Sequence, residues 1–192
     1  MHSFINYLSK HITLTADEKK EIIDLNIVKQ FKKGSLLLRE GQFSDYRYFV
    51  IKGCLRCYYI IDGVEKTTSF YTEAESFEPV CKIDKNVSEY FVSCVEDSIL
   101  IVTNSEMEKS IFEKFPKFEA LCRISTEELL AKSKIELDNF KILSPEQRYL
   151  SLLETRPFLL LRVPQHQIAS CLGITAQSLS RIRNRLSINR QL

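Results

Sequence analysis

Apolar residues along this chain keep two different periods, and the period switches twice. The first stretch is helical. Ser3 to Leu8 reads as a short amphipathic helix, and a second begins at Thr15, where Thr15 and Glu18 make a capping box ahead of EKKEIIDL. The spacing then becomes that of strands. Gly34, Gly41, Gly53 and Gly63 punctuate the runs SLLLRE, YRYFVIK, CLRCYYII and VEKTTSFY. Asp62-Gly63, between two such runs, predicts a two-residue hairpin turn. EYFVSCV and SILIVT read as a further strand pair, joined around Glu96-Asp97. Many short strands at turn-marked intervals predict an antiparallel β jelly-roll barrel.

The helical period returns at Ser105. SEMEKSIFEKF is one short helix, and Pro116 sits at the first turn of the longest element, roughly Pro116 to Lys141. Its apolar residues (Phe118, Leu121, Cys122, Ile124, Leu129, Leu130, Ile135, Leu137, Phe140) are not confined to one stripe. A helix touching both its own barrel and a partner helix has such a distribution, and the heptad is too imperfect for a long regular coiled coil. Ser144-Pro145 restarts a helix, with Ser144 as cap. An α+β chain in three parts is therefore expected: a barrel with N-terminal helices (1–115), a dimerisation helix (116–143) and a C-terminal helical domain (144–192). Internal repeats and low-complexity tracts are absent.

The most informative segment is QHQIASCLGITAQSLSRIRNRL, residues 165–186. Ile168, Ala169, Leu172, Ile174, Leu179 and Ile182 recur at offsets that bury one side of each of two short helices. Gly173 supplies the positive φ that turns the chain, and Thr175 caps the second helix. This is the spacing of a DNA-binding helix-turn-helix. On the second helix Leu179, Ile182 and Leu186 point inward, while Ala176, Gln177, Ser180, Arg181 and Asn184 share the opposite side. Gln pairs bidentately with adenine and Arg with guanine, so that side has the chemistry of base readout. Arg183, Arg185 and Arg190 flank it as phosphate contacts. The DNA-binding set is thus Thr175, Gln177, Ser178, Ser180, Arg181, Arg183, Asn184 and Arg185.

Charge strengthens this reading. The 192 residues carry a net +2, but from Ser144 onward seven Arg face only Glu146 and Glu154, a net +5 that leaves −3 for the rest. No Asp or Glu follows Glu154. Burying six arginines of one sign would be prohibitively costly, and an ordinary solvated surface mixes signs, so the tail is built for a polyanion.

Other chemistries lack their residues. The start, MHSFINYLSKHITLTADEKK, has no apolar core segment of a signal peptide, and no apolar run approaches the roughly 18 residues of a membrane span. Six cysteines (54, 57, 81, 94, 122, 171) lie mostly inside apolar runs rather than at disulfide-scaffold spacings, which points to the cytoplasm. Cys54 and Cys57, three apart in a strand, face opposite sides and share no metal. His2, His11 and His166 all lie outside the barrel, which excludes a histidine-rich metal site or a haem ligand within it. With no Gly-rich phosphate loop and no nucleophile–base pairing, no enzyme, metal or cofactor is expected.

Barrel, long helix and helix-turn-helix in that order resemble the CRP/FNR family of bacterial transcription regulators. The resemblance is carried by GSLLLREGQFSDYRYFVIKG, Gly34 through Gly53, and by IASCLGITAQSLSRIRNRL in the tail. It implies a homodimer joined through 116–143, reading a two-fold symmetric operator on double-stranded DNA, with RNA polymerase as a partner if the protein activates. By position, Gln177 stands where the cAMP-responsive members have Glu, Arg181 matches their base-contacting Arg, and Ala176 replaces an Arg. Many members add a two-stranded wing after the recognition helix. Only SINRQL follows Leu186, so an incomplete wing is expected, its phosphate contacts missing or supplied by Arg190.

One departure stands out. Cyclic-nucleotide-binding members open a short barrel helix with Gly-Glu and follow it with an Arg that pairs with the cyclic phosphate. Here Glu75 to Ser98 contains no glycine and no arginine, and Ser88 falls roughly where that Arg would be. A buried phosphate without a fixed cation is unfavourable, so cyclic AMP is not expected to bind. Lys82 and Lys85 could substitute for that Arg, but a solvated loop accounts for them better. The divergence resembles the branch common in Bacteroidota-like bacteria. A second reading keeps the barrel as a sensor of some small molecule, its aromatic residues suiting an apolar ligand, although core filling accounts for them equally well.

Overall fold

In a computed structural model, Ser9, Ile12, Thr13 and residues 15–189 are described, so the expected Ser3–Leu8 helix and Arg190 lie outside the described residues. Helix α1 (Ala16–Asp24) opens through the expected capping box: the Thr15 N–H donates to Glu18 Oε2 at 2.8 Å, and the Glu18 N–H to Thr15 Oγ1 at 3.2 Å.

The barrel is built from β1 (Val28–Phe31), β2 (Leu36–Leu38), β3 (Tyr46–Lys52), β4 (Leu55–Ile61), β5 (Val64–Tyr71), β6 (Ser76–Phe77), β7 (Phe91–Cys94) and β8 (Ser98–Asn104). Two four-stranded sheets form, in the orders β1-β8-β3-β6 and β2-β7-β4-β5. The β4–β5 connection is the predicted hairpin: Asp62 has φ 52° and Gly63 φ 73°, the doubly left-handed turn that matches strand twist. Strands β1 and β6 add to the expected set; four and two residues long, they carry no strong alternation in sequence.

The expected pairing across Glu96-Asp97 does not occur. Strand β7 lies in the second sheet beside β2 and β4, while β8 lies in the first between β1 and β3. The connection is a corner that crosses between sheets. Asp97 pins it to the β1–β2 turn, taking the Lys33 N–H at 2.8 Å and the Lys32 ammonium at 2.9 Å. Alternation along a strand specifies its two faces but not its neighbours, so local sequence does not distinguish this corner from a paired turn.

Between the sheets, Val50, Leu55, Val92 and Leu100 are completely buried. The barrel aromatics fill space there: the Phe77 ring lies 6.1 Å from Tyr48, 5.1 Å from Tyr71 and 6.4 Å from Tyr90. On the outer face of the first sheet sit Arg47 and Phe49 of β3 and Ile101 and Thr103 of β8. They line a recess together with residues of α3 (Ser105–Lys114) and of α4 (Pro116–Ile142). Asn104 caps α3 by accepting the Met107 N–H at 2.8 Å. Phe118 and Leu121 bury the start of α4 against Ile12, Ile111, Phe112 and Phe115.

The last helices are α5 (Pro145–Thr155), α6 (Leu159–Arg162), α7 (Gln165–Cys171) and α8 (Ala176–Asn189). As expected, Ser144 caps α5 with Pro145 at its first position, and Gln147 completes a capping box by accepting the Ser144 N–H at 2.8 Å. The chain divides into two compact units, 1–56 with 70–130 and 57–69 with 131–192. Among the described residues no helix is long and apolar enough to cross a membrane.

Candidate nucleic-acid interface

Within the second unit, α7 and α8 share an apolar interior made by Leu159, Val163, Ile168, Ala169, Leu172, Leu179 and Ile182, all buried. Ala169 is 1% exposed, where a larger side chain would hold two helices apart. The turn between them is a Schellman motif. The Gly173 N–H donates to Ser170 O and the Ile174 N–H to Ala169 O, both at 3.0 Å, with Gly173 at φ +71°. Thr175 then caps α8 by accepting the Ser178 N–H at 3.1 Å, and its hydroxyl lies 3.0 Å from that of Ser178. Thr175 and Ser178 are therefore occupied in shaping the start of the helix.

The remaining expected residues divide by what they face. Gln177, Ser180, Arg181, Arg183 and Asn184 are all exposed, on a helix whose Leu179 and Ile182 are buried. Positions 177, 181 and 184 are four and three apart, so they lie on one line along α8. Arg185 also reaches the surface but is ion-paired with Glu146 of α5, so this cation is partly neutralised within the protein.

Two residues not singled out from the sequence hold this unit together. Arg148 of α5 places its guanidinium 4.5 Å from the centroid of the Phe140 ring and donates from Nη1 to Phe140 O at 2.9 Å and Leu143 O at 3.2 Å. It thereby satisfies carbonyls at the end of α4 that have no partner within the helix. Phe140 in turn packs so closely on the Gly173 turn that a Cβ there would lie 2.9 Å from its ring. The only sequence signals were a lone Arg after a Ser-Pro restart and an aromatic at a helix end. A further tie comes from the middle of β5. The Thr67 N–H donates to Ser170 Oγ at 2.9 Å, and Cys171 Sγ donates to Thr68 O at 3.6 Å. Burial pushes the Cys171 thiol up to about 11.

In the first unit the Glu75–Ser98 stretch contains helix α2 (Val80–Asp84), in which Lys82 is 6% exposed rather than part of the expected solvated loop. Lys82 Nζ donates to Glu108 Oε2 at 2.8 Å and lies 3.1 Å from Glu78 Oε1. Arg47 Nη2 lies 2.9 Å from Glu78 Oε2, and Arg47 Nε 3.1 Å from Glu108 Oε1. Two cations and two carboxylates thus alternate in a closed ring, with Thr103 Oγ1 donating to Glu108 at 2.9 Å. Burial alone would lower the Arg47 guanidinium, but Glu108 and Glu78 more than offset that and hold it above its ordinary value. The solvated reading fails because Glu108 meets Lys82 across the fold, beyond what local sequence conveys, and joins Glu78, four residues before it. Lys85, in contrast, is exposed. Ser88 is buried, its hydroxyl donating to Tyr90 O at 2.8 Å.

The described residues form a jelly-roll barrel, a long helix and a C-terminal helix-turn-helix, a fold shared with solved structures of other proteins. Residues 28–115 match the family described as the cyclic nucleotide-binding domain. Among solved structures, the c-di-GMP-responsive global regulator CLP of Xanthomonas campestris superposes with a TM-score of 0.69 at 15% identity, covering 91% of this chain and 93% of that one. FixK2 of Bradyrhizobium japonicum gives 0.68 at 17% identity, with 84% of each chain covered. A CooA mutant from Carboxydothermus hydrogenoformans gives 0.67 at 18%, covering 83% of this chain and 75% of that one. At these identities the likeness is one of fold. No curated protein sequence matches the chain.

Proposed function

We propose that this protein is a sequence-specific DNA-binding transcription regulator of the CRP/FNR type, acting as a homodimer on a two-fold symmetric operator. The observation that carries the reading is the solvent-facing line of Gln177, Arg181 and Asn184 on the second helix of a helix-turn-helix, with Arg183 beside it. Such a helix offers hydrogen-bonding side chains to major-groove base edges while the flanking cation neutralises phosphate. Arg185 contributes to phosphate contact by exchanging Glu146 for the duplex. Dimerisation is supported by α4, which leaves Ile124, Leu130, Ile135 and Ile142 exposed along its length. Two recognition helices then address half-sites roughly 34 Å apart. If the regulator activates, RNA polymerase is its protein partner.

The barrel is that of a nucleotide sensor without the means to hold a cyclic phosphate in the Glu75–Ser98 stretch, as in the Bacteroidota-like branch. No Arg occurs there, and Lys82 is committed to Glu78 and Glu108. Isothermal calorimetry with cyclic AMP is expected to show no saturable binding. The principal test is selection of bound sequences from a random duplex pool. A palindromic consensus is expected, and recovery of unenriched sequences would refute the proposal. Arg181→Ala is expected to cost about 1–3 kcal/mol on the selected site and to relax preference at one base pair of each half-site.

A further inference from the structure

We propose that the recess on the outer face of the first sheet, beneath α3 and α4, is a binding site for an uncharged, apolar molecule about the size of a single aromatic ring. Its volume is about 160 Å³, and its apolar walls include Phe49, Ile101, Ile111, Phe118, Leu121 and Leu129. This recess is partly open to solvent, and its branched and aromatic walls leave apolar surface that a small apolar molecule would cover. Size and lining together indicate the occupant: an apolar space of about 150 Å³ accommodates a single benzene-sized ring.

Charge narrows the class further. One end of the recess is formed by Arg47, Glu78 and Glu108, which Lys82 completes into the alternating ring described above. Each charge in that ring already has its counter-charge. An anionic ligand would set a third carboxylate against Glu78 and Glu108, and a cationic one would crowd Arg47 and Lys82. Either would bury a charge without a partner, so a neutral ligand is selected.

The site is separate from the interior between the two sheets, where a nucleotide-binding barrel of this type holds its ligand. Alternation along β3 places Tyr48 and Val50 in that interior and Arg47 and Phe49 on the opposite face, toward the recess. Because Phe118, Leu121 and Leu129 belong to α4, an occupant touches the long helix directly. The inference stands whether or not the tail binds DNA.

Ligand-observed fluorine NMR on the full chain tests it, with fluorobenzene and 4-fluorobenzoate as probes. Fluorobenzene is expected to broaden and shift saturably and to be displaced by benzene, while 4-fluorobenzoate at equal concentration stays unchanged. Ile111→Phe fills the recess and is expected to weaken fluorobenzene at least tenfold without lowering the thermal midpoint. Should that variant fail to fold, Cys122→Phe fills the same space from α4. Absence of saturable fluorobenzene binding, equal affinity in a folded filled variant, or 4-fluorobenzoate binding as tightly as fluorobenzene would each overturn the assignment.

Discussion

Replacing Gly173 by alanine probes the joint on which the helix-turn-helix depends, and the structure sets the expected cost. Gly173 has φ +71°, and an L-residue held in the left-handed region loses roughly 1–2 kcal/mol. The new Cβ would also stand 2.9 Å from Phe140 Cζ and 3.2 Å from Cε2, so the ring must move off the turn. Forcing one extra carbon into a packed contact costs about 1 kcal/mol, the low end of overpacking, since only a ring tip has to yield. Against these stands a gain of about 0.4–1 kcal/mol from the stiffer unfolded chain. The net expectation is a loss of about 1–2.5 kcal/mol, read as a lower urea midpoint at unchanged slope. Gly173→Asn should fall between glycine and alanine, because asparagine tolerates the left-handed region but still carries a Cβ. Adding Phe140→Leu should recover the contact portion, about 1 kcal/mol, in a double-mutant cycle. An alanine variant as stable as the parent would refute the backbone argument. A cost unchanged by Phe140→Leu would refute the packing argument.

Arg183→Ala should weaken binding to all duplexes alike and reduce the slope of log affinity against log salt by about 1, as measured by fluorescence anisotropy at several salt concentrations. Glu108→Ala removes one carboxylate from the buried ring and leaves Lys82 and Arg47 sharing Glu78. A loss of about 3–5 kcal/mol in denaturant unfolding is expected, the cost of breaking a buried pair from one side. Burial raises both the Cys94 and Cys171 thiols to about 11, so their thiolate is nearly absent at pH 8. Mass spectrometry after iodoacetamide treatment should find both unmodified in the native protein and modified in urea.

What was legible in the sequence is what short-range chemistry dictates. The two halves of the helix-turn-helix, the Gly173 turn, the Thr15, Ser144 and Thr175 caps and the Asp62-Gly63 hairpin all depend on residues within a few positions of one another. Their spacing therefore carries the full physical instruction. The exposed line of Gln177, Arg181 and Asn184 follows from the same helical period once Leu179 and Ile182 are inside. Tertiary structure alone decided which strands became neighbours and which charges met. The β7–β8 corner looks like a joined strand pair in sequence because a strand's alternation names its faces and is silent about its partner. Lys82 looks solvated in sequence because Glu108, 26 residues away, becomes its counter-ion only after the chain folds back. The Arg185–Glu146 pair and the stacking of Arg148, Phe140 and Gly173 belong to the same class, since attraction between charges and between packed rings acts through space and leaves no period along the chain.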